Sequence, residues 1–161
     1  MTQPIAEPVA AHTADSVAEP INPPKTHTHR VEVCFGDCDP AGIVFFPNFN
    51  KWMDQASLAF FMAQGIPPWR ELVKTRGIVG TPLLEIHTKF VKTATYGETL
   101  EIDTHVEHWA AKTFRQRHVI RRGTELICEG TETRVFVIKD PANPDRIKAI
   151  PIPDDIKALC L

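Results

Sequence analysis

Residues 35–65 read FGDCDPAGIVFFPNFNKWMDQASLAFFMAQG, and the second half of this stretch decides the fold. From Pro47 onward, apolar residues recur at helical spacing and form one face: Phe49, Trp52, Met53, Ala56, Ala59, Phe60 and Ala63. Proline suits the first turn of a helix, and Gly65 followed by Pro67 suits its end. The pattern therefore predicts a helix over residues 47–65 that is apolar enough to lie at the centre of the core.

Two carboxylates, Asp37 and Asp39, stand just before this helix, where Pro40 and Gly42 interrupt regular structure. Three interpretations are open from the residues alone: a turn that caps the helix, a metal-binding pair, and a catalytic carboxylate directed at an apolar group. Asp39 precedes a proline, which favours an extended conformation, and the nearby helix start favours negative charge. An ionised carboxylate needs no activating base, so Asp39 can serve as a nucleophile or as a general base.

Outside the long helix, the sequence from residue 29 onward predicts mostly strands. Residues 29–35, HRVEVCF, alternate apolar and polar side chains, and strand-like runs follow at 82–92, 98–109, 112–122 and 125–139. Short helices are predicted at 67–77 and 151–160. Short connections between the later runs favour antiparallel neighbours. The order fits an α+β domain in which an antiparallel sheet wraps around the long helix.

Residues 1–28 contain many Pro and Ala and no aromatic residue. They lack helical or strand periodicity, so they bury too little apolar surface to offset the entropy of ordering. We expect a disordered N-terminal extension at 1–28 and one domain at 29–161.

Composition argues against several classes of function. The net charge of −2 gives no general attraction to nucleic acid or to an anionic membrane. No apolar run approaches the roughly 20 residues needed to cross a bilayer, and the N-terminus lacks the features of a signal peptide. We therefore expect a cytoplasmic protein whose four cysteines, Cys34, Cys38, Cys128 and Cys160, are free thiols. His105 and His108 are expected on opposite faces of a strand, so we predict no metal site.

The string GDCDPAGIVFFPNF, followed by KWMDQAS, GIPPW and RGIVGTP, closely resembles the 4-hydroxybenzoyl-CoA thioesterases of the hotdog-fold superfamily. The resemblance runs from about Val31 to the C-terminus and includes FRQRH at 114–118 and ETRVF at 132–136. It implies a hotdog fold and hydrolysis of 4-hydroxybenzoyl-CoA, or of a closely related aroyl-CoA, without a metal or redox cofactor. It also implies a homotetramer, assembled as a dimer of dimers, with sites at the subunit interface.

The resemblance implies roles for three residues. Asp39 is the catalytic carboxylate, and the resemblance favours the nucleophilic role. The oxyanion donor is the backbone N–H of Phe46, where better-known relatives carry tyrosine. Asp54, on the long helix, corresponds to an aspartate linked to the para-hydroxyl of the aroyl group. A solvated helix position is the other interpretation of Asp54.

The run KTFRQRHVIRR, residues 112–122, is strongly basic. Lys112, Arg115 and Arg117 are candidates to bind the phosphates of coenzyme A, and an exposed charged face is the alternative. The sequence departs from its relatives here, because Ala110 and Ala111 stand where the relatives carry arginines.

Three other functions remain open at this point: a thioesterase for other short or aromatic acyl-CoA esters, a non-catalytic acyl-CoA-binding module, and a nucleic-acid binder that uses the basic strand.

Overall fold

The computed structural model describes residues 23–161, so most of the predicted extension, residues 1–22, lies outside the described residues. The first strand begins at His27, two residues before the expected start of the domain. The boundary differs because His27 already pairs with Thr104 across the sheet. No helix in the described part of the chain is both long and apolar enough to cross a membrane.

Eight strands and three α-helices make up the described residues. The strands are β1 (His27–Glu32), β2 (Ile78–Gly80), β3 (Leu83–Phe90), β4 (Thr99–Trp109), β5 (Thr113–Arg122), β6 (Glu125–Val135), β7 (Val137–Asp140) and β8 (Asn143–Ala149). The helices are α1 (Pro47–Ala63), α2 (Trp69–Arg76) and α3 (Asp154–Cys160). One antiparallel sheet has the order β1-β4-β5-β6-β3, and a smaller one has the order β2-β7-β8.

Helix α1 lies in the core, as its apolar face predicts. The residues of that face that are fully or almost fully buried are Phe49, Trp52, Met53, Ala56 and Phe60. The first four pack against apolar side chains of the large sheet, such as Leu100, Ile102 and Ile120, while Phe60 belongs to a second core cluster. Burial of each large apolar side chain contributes about 1.5–3 kcal/mol, so this face accounts for much of the stability of the domain.

The predicted strand at 125–139 is wrong as a single element, because it divides into β6 and β7 at Phe136. The Phe136 N–H donates to Lys112 O at 3.1 Å, and its carbonyl accepts from Ile150 N–H at 2.9 Å. The chain therefore passes from the large sheet to the small one at a fully buried phenylalanine. Strands β2 and β8, which complete the small sheet, were not predicted.

β4 pairs with β5 and β5 pairs with β6, as expected for neighbours in sequence, but β3 does not pair with β4. β3 lies at the edge of the large sheet beside β6, although β4 follows it in sequence. The connection between β3 and β4 therefore crosses the sheet, and it passes the N-terminal end of α1 on the way, where Ala94 O accepts the Val44 N–H at 2.9 Å.

Candidate active site

Asp39 opens a tight turn. The Gly42 N–H donates to Asp39 O at 2.9 Å, and Gly42 has a φ of 76°, a conformation that favours glycine. One carboxylate oxygen of Asp39, Oδ1, accepts the Ala41 N–H at 2.8 Å. Asp at the first position and Pro40 at the second are typical of this turn. The predicted turn is present, but the predicted capping is wrong, because the N-cap of α1 is Phe46 and no side chain caps it. Asp39 Oδ2 accepts no hydrogen bond from residues 23–161.

Asp37 fixes this turn against the start of α1. Its carbonyl oxygen accepts both the Phe45 N–H and the Asn48 side-chain amide, each at 2.8 Å. Its carboxylate accepts the Cys34 N–H at 2.8 Å. Asp37 therefore has a structural role, and it holds the neighbouring Asp39 at the N-terminal end of the helix.

The connection between β3 and β4 supports the turn from the other side. Ala94 is buried, and its carbonyl accepts the Val44 N–H. The hydroxyl of Thr95 donates to Gly42 O at 2.6 Å. Because both ends of the turn are held, the Asp39 carboxylate has a defined direction before any substrate arrives.

Phe46 is the N-cap residue of α1. Its carbonyl accepts the Phe49 N–H, but its own N–H donates no hydrogen bond within the described residues. The first N–H groups of a helix lack intrahelical partners and carry the positive end of the helix dipole. The Asp39 turn and this N–H therefore lie at the same end of α1, and their roles as catalytic carboxylate and oxyanion donor stay predictions.

Asp54 lies eight residues beyond Phe46, about 12 Å along the helix axis. It lines a pocket of about 370 Å³ whose walls include Leu58, Trp69 and Val79. Neither Asp39 nor Phe46 lines that pocket. Within one chain, Asp39 is therefore not part of the pocket that contains Asp54.

A row of buried polar side chains crosses the inner face of the large sheet and ends at Asp54. Thr104 Oγ1 lies 2.8 Å from His118 Nδ1, and His118 Nε2 lies 3.3 Å from Glu132 Oε2. Arg134 Nε donates to the same Glu132 oxygen at 2.9 Å, and Arg134 Nη2 donates to Asp54 Oδ1 at 2.6 Å. We call Thr104, His118, Glu132 and Arg134 the polar row; each is at most 6% exposed.

Sequence reasoning missed the polar row because charged residues in a strand suggest a solvated face. A signal was present, however. Glu132 and Arg134 are separated from Cys128 and Phe136 by even numbers of residues, and alternate residues of a strand share a face. If the cysteine and the phenylalanine face the core, so do the glutamate and the arginine.

The buried Glu132 remains acidic. Burial by itself raises the pKa of its carboxyl group, but the hydrogen bond from His118 and the positive charge of Arg134 outweigh that effect. The result is a pKa below the ordinary value. Glu132 is therefore a fixed negative charge that anchors Arg134 at neutral pH.

The three candidates for phosphate binding differ in their surroundings. Arg115 contacts Glu107 at 2.5 Å, and Arg117 contacts Glu129 at 2.6 Å, both through charge-assisted bonds. Lys112, in the turn between β4 and β5, is exposed and forms no ion pair with any described residue. Of the three, only Lys112 is available to an anion without a competing carboxylate.

His105 and His108 lie on the same face of β4, so the predicted arrangement on opposite faces is wrong. A bulge between Val106 and His108 pairs His105 with Arg117 and His108 with Arg115. The extra residue in the bulge reverses the usual alternation. In the described part of the chain, no three His, Cys, Asp or Glu side chains are grouped so as to hold a metal ion.

All four cysteines are free thiols. Burial raises the pKa of Cys128 and that of Cys160 to about 12, so neither forms a thiolate at neutral pH. Cys38, between the two aspartates, is half-buried, with its sulfur 4.0 Å from the Cys34 carbonyl.

Known proteins resemble this chain over most of its length. It is 45% identical over 140 residues to a 4-hydroxybenzoyl-CoA thioesterase of Pseudomonas sp. (strain CBS-3). The aligned region covers 84% of this chain and 96% of that protein. A crystal structure of a 4-hydroxybenzoyl-CoA thioesterase, in which an aspartate is replaced by asparagine, is complexed with 4-hydroxybenzoyl-CoA. It matches with a TM-score of 0.80 and 42% identity, over 84% of this chain and 99% of that one.

A gentisyl-coenzyme A thioesterase matches with a TM-score of 0.70 and 30% identity, over 83% of this chain and 98% of that one. These structural matches confirm the predicted hotdog fold. A family model described as the thioesterase-like superfamily matches residues 33–159. By both the family match and the sequence identity, this chain belongs to the thioesterase-like superfamily.

Proposed function

We propose that the protein hydrolyses 4-hydroxybenzoyl-CoA, or a closely related aroyl-CoA, to the free acid and coenzyme A. The relative that is 45% identical carries this activity in its name, and a solved relative contains this thioester. The observation that carries the proposal is that the Asp39 turn and a Phe46 N–H without a hydrogen-bond partner among the described residues both lie at the N-terminal end of α1.

Two chemical routes fit this arrangement. In the first, Asp39 Oδ2 attacks the thioester carbonyl carbon, the C–S bond breaks with release of the coenzyme A thiolate, and water hydrolyses the resulting mixed anhydride. In the second, Asp39 takes a proton from a water molecule that attacks the same carbon. The family resemblance favours the first route.

In both routes negative charge develops on the carbonyl oxygen, and the Phe46 N–H is the donor that stabilises it. One such donor typically contributes about 2.7–4 kcal/mol to the transition state. Because the donor belongs to the main chain, phenylalanine at this position serves as well as the tyrosine of better-known relatives.

We assign the para-hydroxyl of the aroyl group to Asp54. Its pocket has apolar walls, which suit an aromatic ring, and Asp54 Oδ2 accepts no hydrogen bond from the described residues. Since Asp39 does not line this pocket within one chain, the proposal requires that a second copy bring its Asp39 to the pocket mouth.

The assembly we propose is a homotetramer, a dimer of dimers with sites between subunits. Its support is the edge strand β3, which pairs on one side only among residues 23–161 and exposes Leu83, Leu84 and Phe90. Such an apolar edge is prone to pair with another chain unless it is covered. Edge-to-edge pairing of two copies through β3 would remove this surface from water.

Lys112, with Arg115 and Arg117, is proposed to bind the coenzyme A phosphates. We propose no metal or redox cofactor, because an ionised carboxylate attacks or activates water unaided. A cytoplasmic location is proposed from the four free thiols, which suit a reducing compartment.

The test is a thiol-release panel of aroyl- and alkyl-CoA esters with the wild type, Asp39→Asn and the control Asp154→Asn, an exposed aspartate of α3. We expect the wild type to prefer 4-hydroxybenzoyl-CoA, and Asp39→Asn to lose at least about a hundredfold in kcat, as for a principal catalytic group. The control should retain its activity.

Other outcomes assign the rival functions. Preference for alkyl or unhydroxylated esters would indicate a thioesterase for other acyl groups. Tight ester binding without thiol release would indicate a binding module. DNA binding retained at about 0.2 M salt would indicate a nucleic-acid binder, although the pairing of Arg115 and Arg117 with carboxylates opposes it.

A further inference from the structure

Arg134 is a buried guanidinium on the inner face of β6, where the mechanism above gives it no task. Its side chain is only 7% exposed. A buried charge is costly unless it is paired and hydrogen-bonded, so a position of this kind persists only with a full set of partners.

The partners of Arg134 come from three different elements. Glu132, its neighbour on the same strand, accepts from Nε, and the same carboxylate lies 2.8 Å from Nη2. The carbonyl of Thr81, just after β2, accepts from Nη1 at 3.0 Å. The third partner is Asp54 on α1, which accepts from Nη2. Because all three guanidinium nitrogens have partners, the guanidinium plane is held in one orientation.

Asp54 is the exposed member of this set. Its side chain is 67% exposed and stands on a helix surface, where a carboxylate ordinarily samples several rotamers. The bond from Arg134 occupies Oδ1 and leaves Oδ2 without a partner in the described residues. The direction of the free oxygen is thus set by Arg134 rather than by the helix.

We propose that Arg134, anchored by Glu132, is a positioning residue that orients the Asp54 carboxylate and so sets the preference for aroyl groups that carry a para-hydroxyl. The inference rests on the proposed function, because it assumes that Asp54 accepts this hydroxyl. A site that hydrogen-bonds a hydroxyl discriminates strongly against substrates that lack it, provided that the acceptor is held in place. Arg134, which lines the pocket beside Asp54, and Glu132 behind it supply that rigidity.

The readout is a ratio: kcat/KM for 4-hydroxybenzoyl-CoA divided by kcat/KM for benzoyl-CoA. Arg134→Lys keeps the charge but reaches only one carboxylate, so we expect the ratio to fall about 10- to 100-fold while benzoyl-CoA turnover changes little. Arg121→Lys is the matched control, since Arg121 pairs with Asp103 on the outer face of the sheet. Its ratio should equal that of the wild type.

A double variant tests whether Arg134 acts through Asp54. If it does, Asp54→Asn combined with Arg134→Lys should have the same ratio as Asp54→Asn alone, because the two changes remove one interaction. The inference would be overturned if the effects of the two changes on the ratio multiplied in the double variant. It would also be overturned if Arg134→Lys left the ratio unchanged or reduced kcat/KM equally for both substrates.

Glu132→Gln provides an independent variant, because it keeps the side-chain volume and removes the charge that anchors Arg134. It should lower the ratio in the same direction. If neither Arg134→Lys nor Glu132→Gln folds, the pair serves the fold itself and the positioning role is wrong. If the wild type shows no preference for the hydroxylated ester, the proposed function fails first; if it does and Arg134→Lys keeps the preference, only the present inference fails.

Discussion

Gly130 of β6 lies directly beneath Met53 of α1. A Cβ atom at Gly130 would stand 2.8 Å from the Met53 sulfur and 2.7 Å from the carbonyl oxygen of His87. Both distances are shorter than a carbon atom tolerates, and one of the two atoms belongs to the backbone. The absence of a side chain at this position therefore allows the central helix to approach the sheet.

Gly130→Ala should destabilise the protein. Overpacking of a well-packed core typically costs about 1–3 kcal/mol, and we expect a loss in this range in urea unfolding. Gly36→Ala is the control, because nothing lies within 4 Å of its added Cβ. Equal stability of the two variants would show that the helix can move away from the sheet without cost.

Removal of the Phe46 N–H should slow catalysis without a change in the backbone. Phe46 has a φ of −51°, which proline can adopt, so Phe46→Pro deletes the donor and keeps the helix start. We expect kcat to fall about 10²–10³-fold. Phe46→Ala loses the same ring but keeps the N–H, and it should retain most of the activity. Comparable losses in both variants would assign the effect to the ring.

Lys112→Ala should weaken binding of the thioester but hardly slow its turnover. We expect KM to rise about 3- to 10-fold with kcat little changed, the pattern of a contact equally strong in ground and transition states. The difference from the wild type should shrink at high salt, since exposed charges are screened. Lys157→Ala, in α3, is the control. A larger effect of Arg115→Ala or Arg117→Ala would assign the phosphates to the paired arginines.

Glu132 should make the folded state sensitive to acid. Its folded pKa lies below the ordinary value of 4.5, so its stabilising contribution is fully present above pH 4.5 and is lost as pH falls through the folded pKa. The groups that face it are the imidazole of His118 and the guanidinium of Arg134, with Asp54 beyond. The free energy of unfolding of Glu132→Gln should therefore change less with pH than that of the wild type in this acid range. Parallel curves would contradict the prediction.

The parts of the fold that follow from local pattern were predictable from sequence. Helix α1 repeats its apolar face over many turns, and the turn at Asp39 has the residues that its geometry demands. The position of β3 beside β6 was not predictable, because strand pairing depends on contacts between distant residues. The division of the strand at Phe136 was also hidden, since the valines on both sides of it, Val135 and Val137, are typical of a continuous strand.

The candidate site was predictable only in part, for a related reason. Asp39, Phe46 and Asp54 lie in one continuous motif, so a resemblance identifies them together. Arg134 reaches Asp54 from 80 residues away. Its role depends on its burial, which is contrary to the usual preference of arginine for solvent. The only sign of this burial in the sequence is that Arg134 occupies the same alternating positions of the strand as the apolar core residues.

The bond from Thr95 to Gly42 joins residues that are 53 positions apart. During synthesis the ribosome therefore releases Asp39 well before the segment that braces it. A nascent chain that ends near residue 65 would contain Asp37, Asp39 and all of α1 and still lack Ala94 and Thr95, which support the turn. We expect the growing polypeptide to become catalytically competent late, only after the connection between β3 and β4 has left the ribosome and has packed against the Asp39 turn.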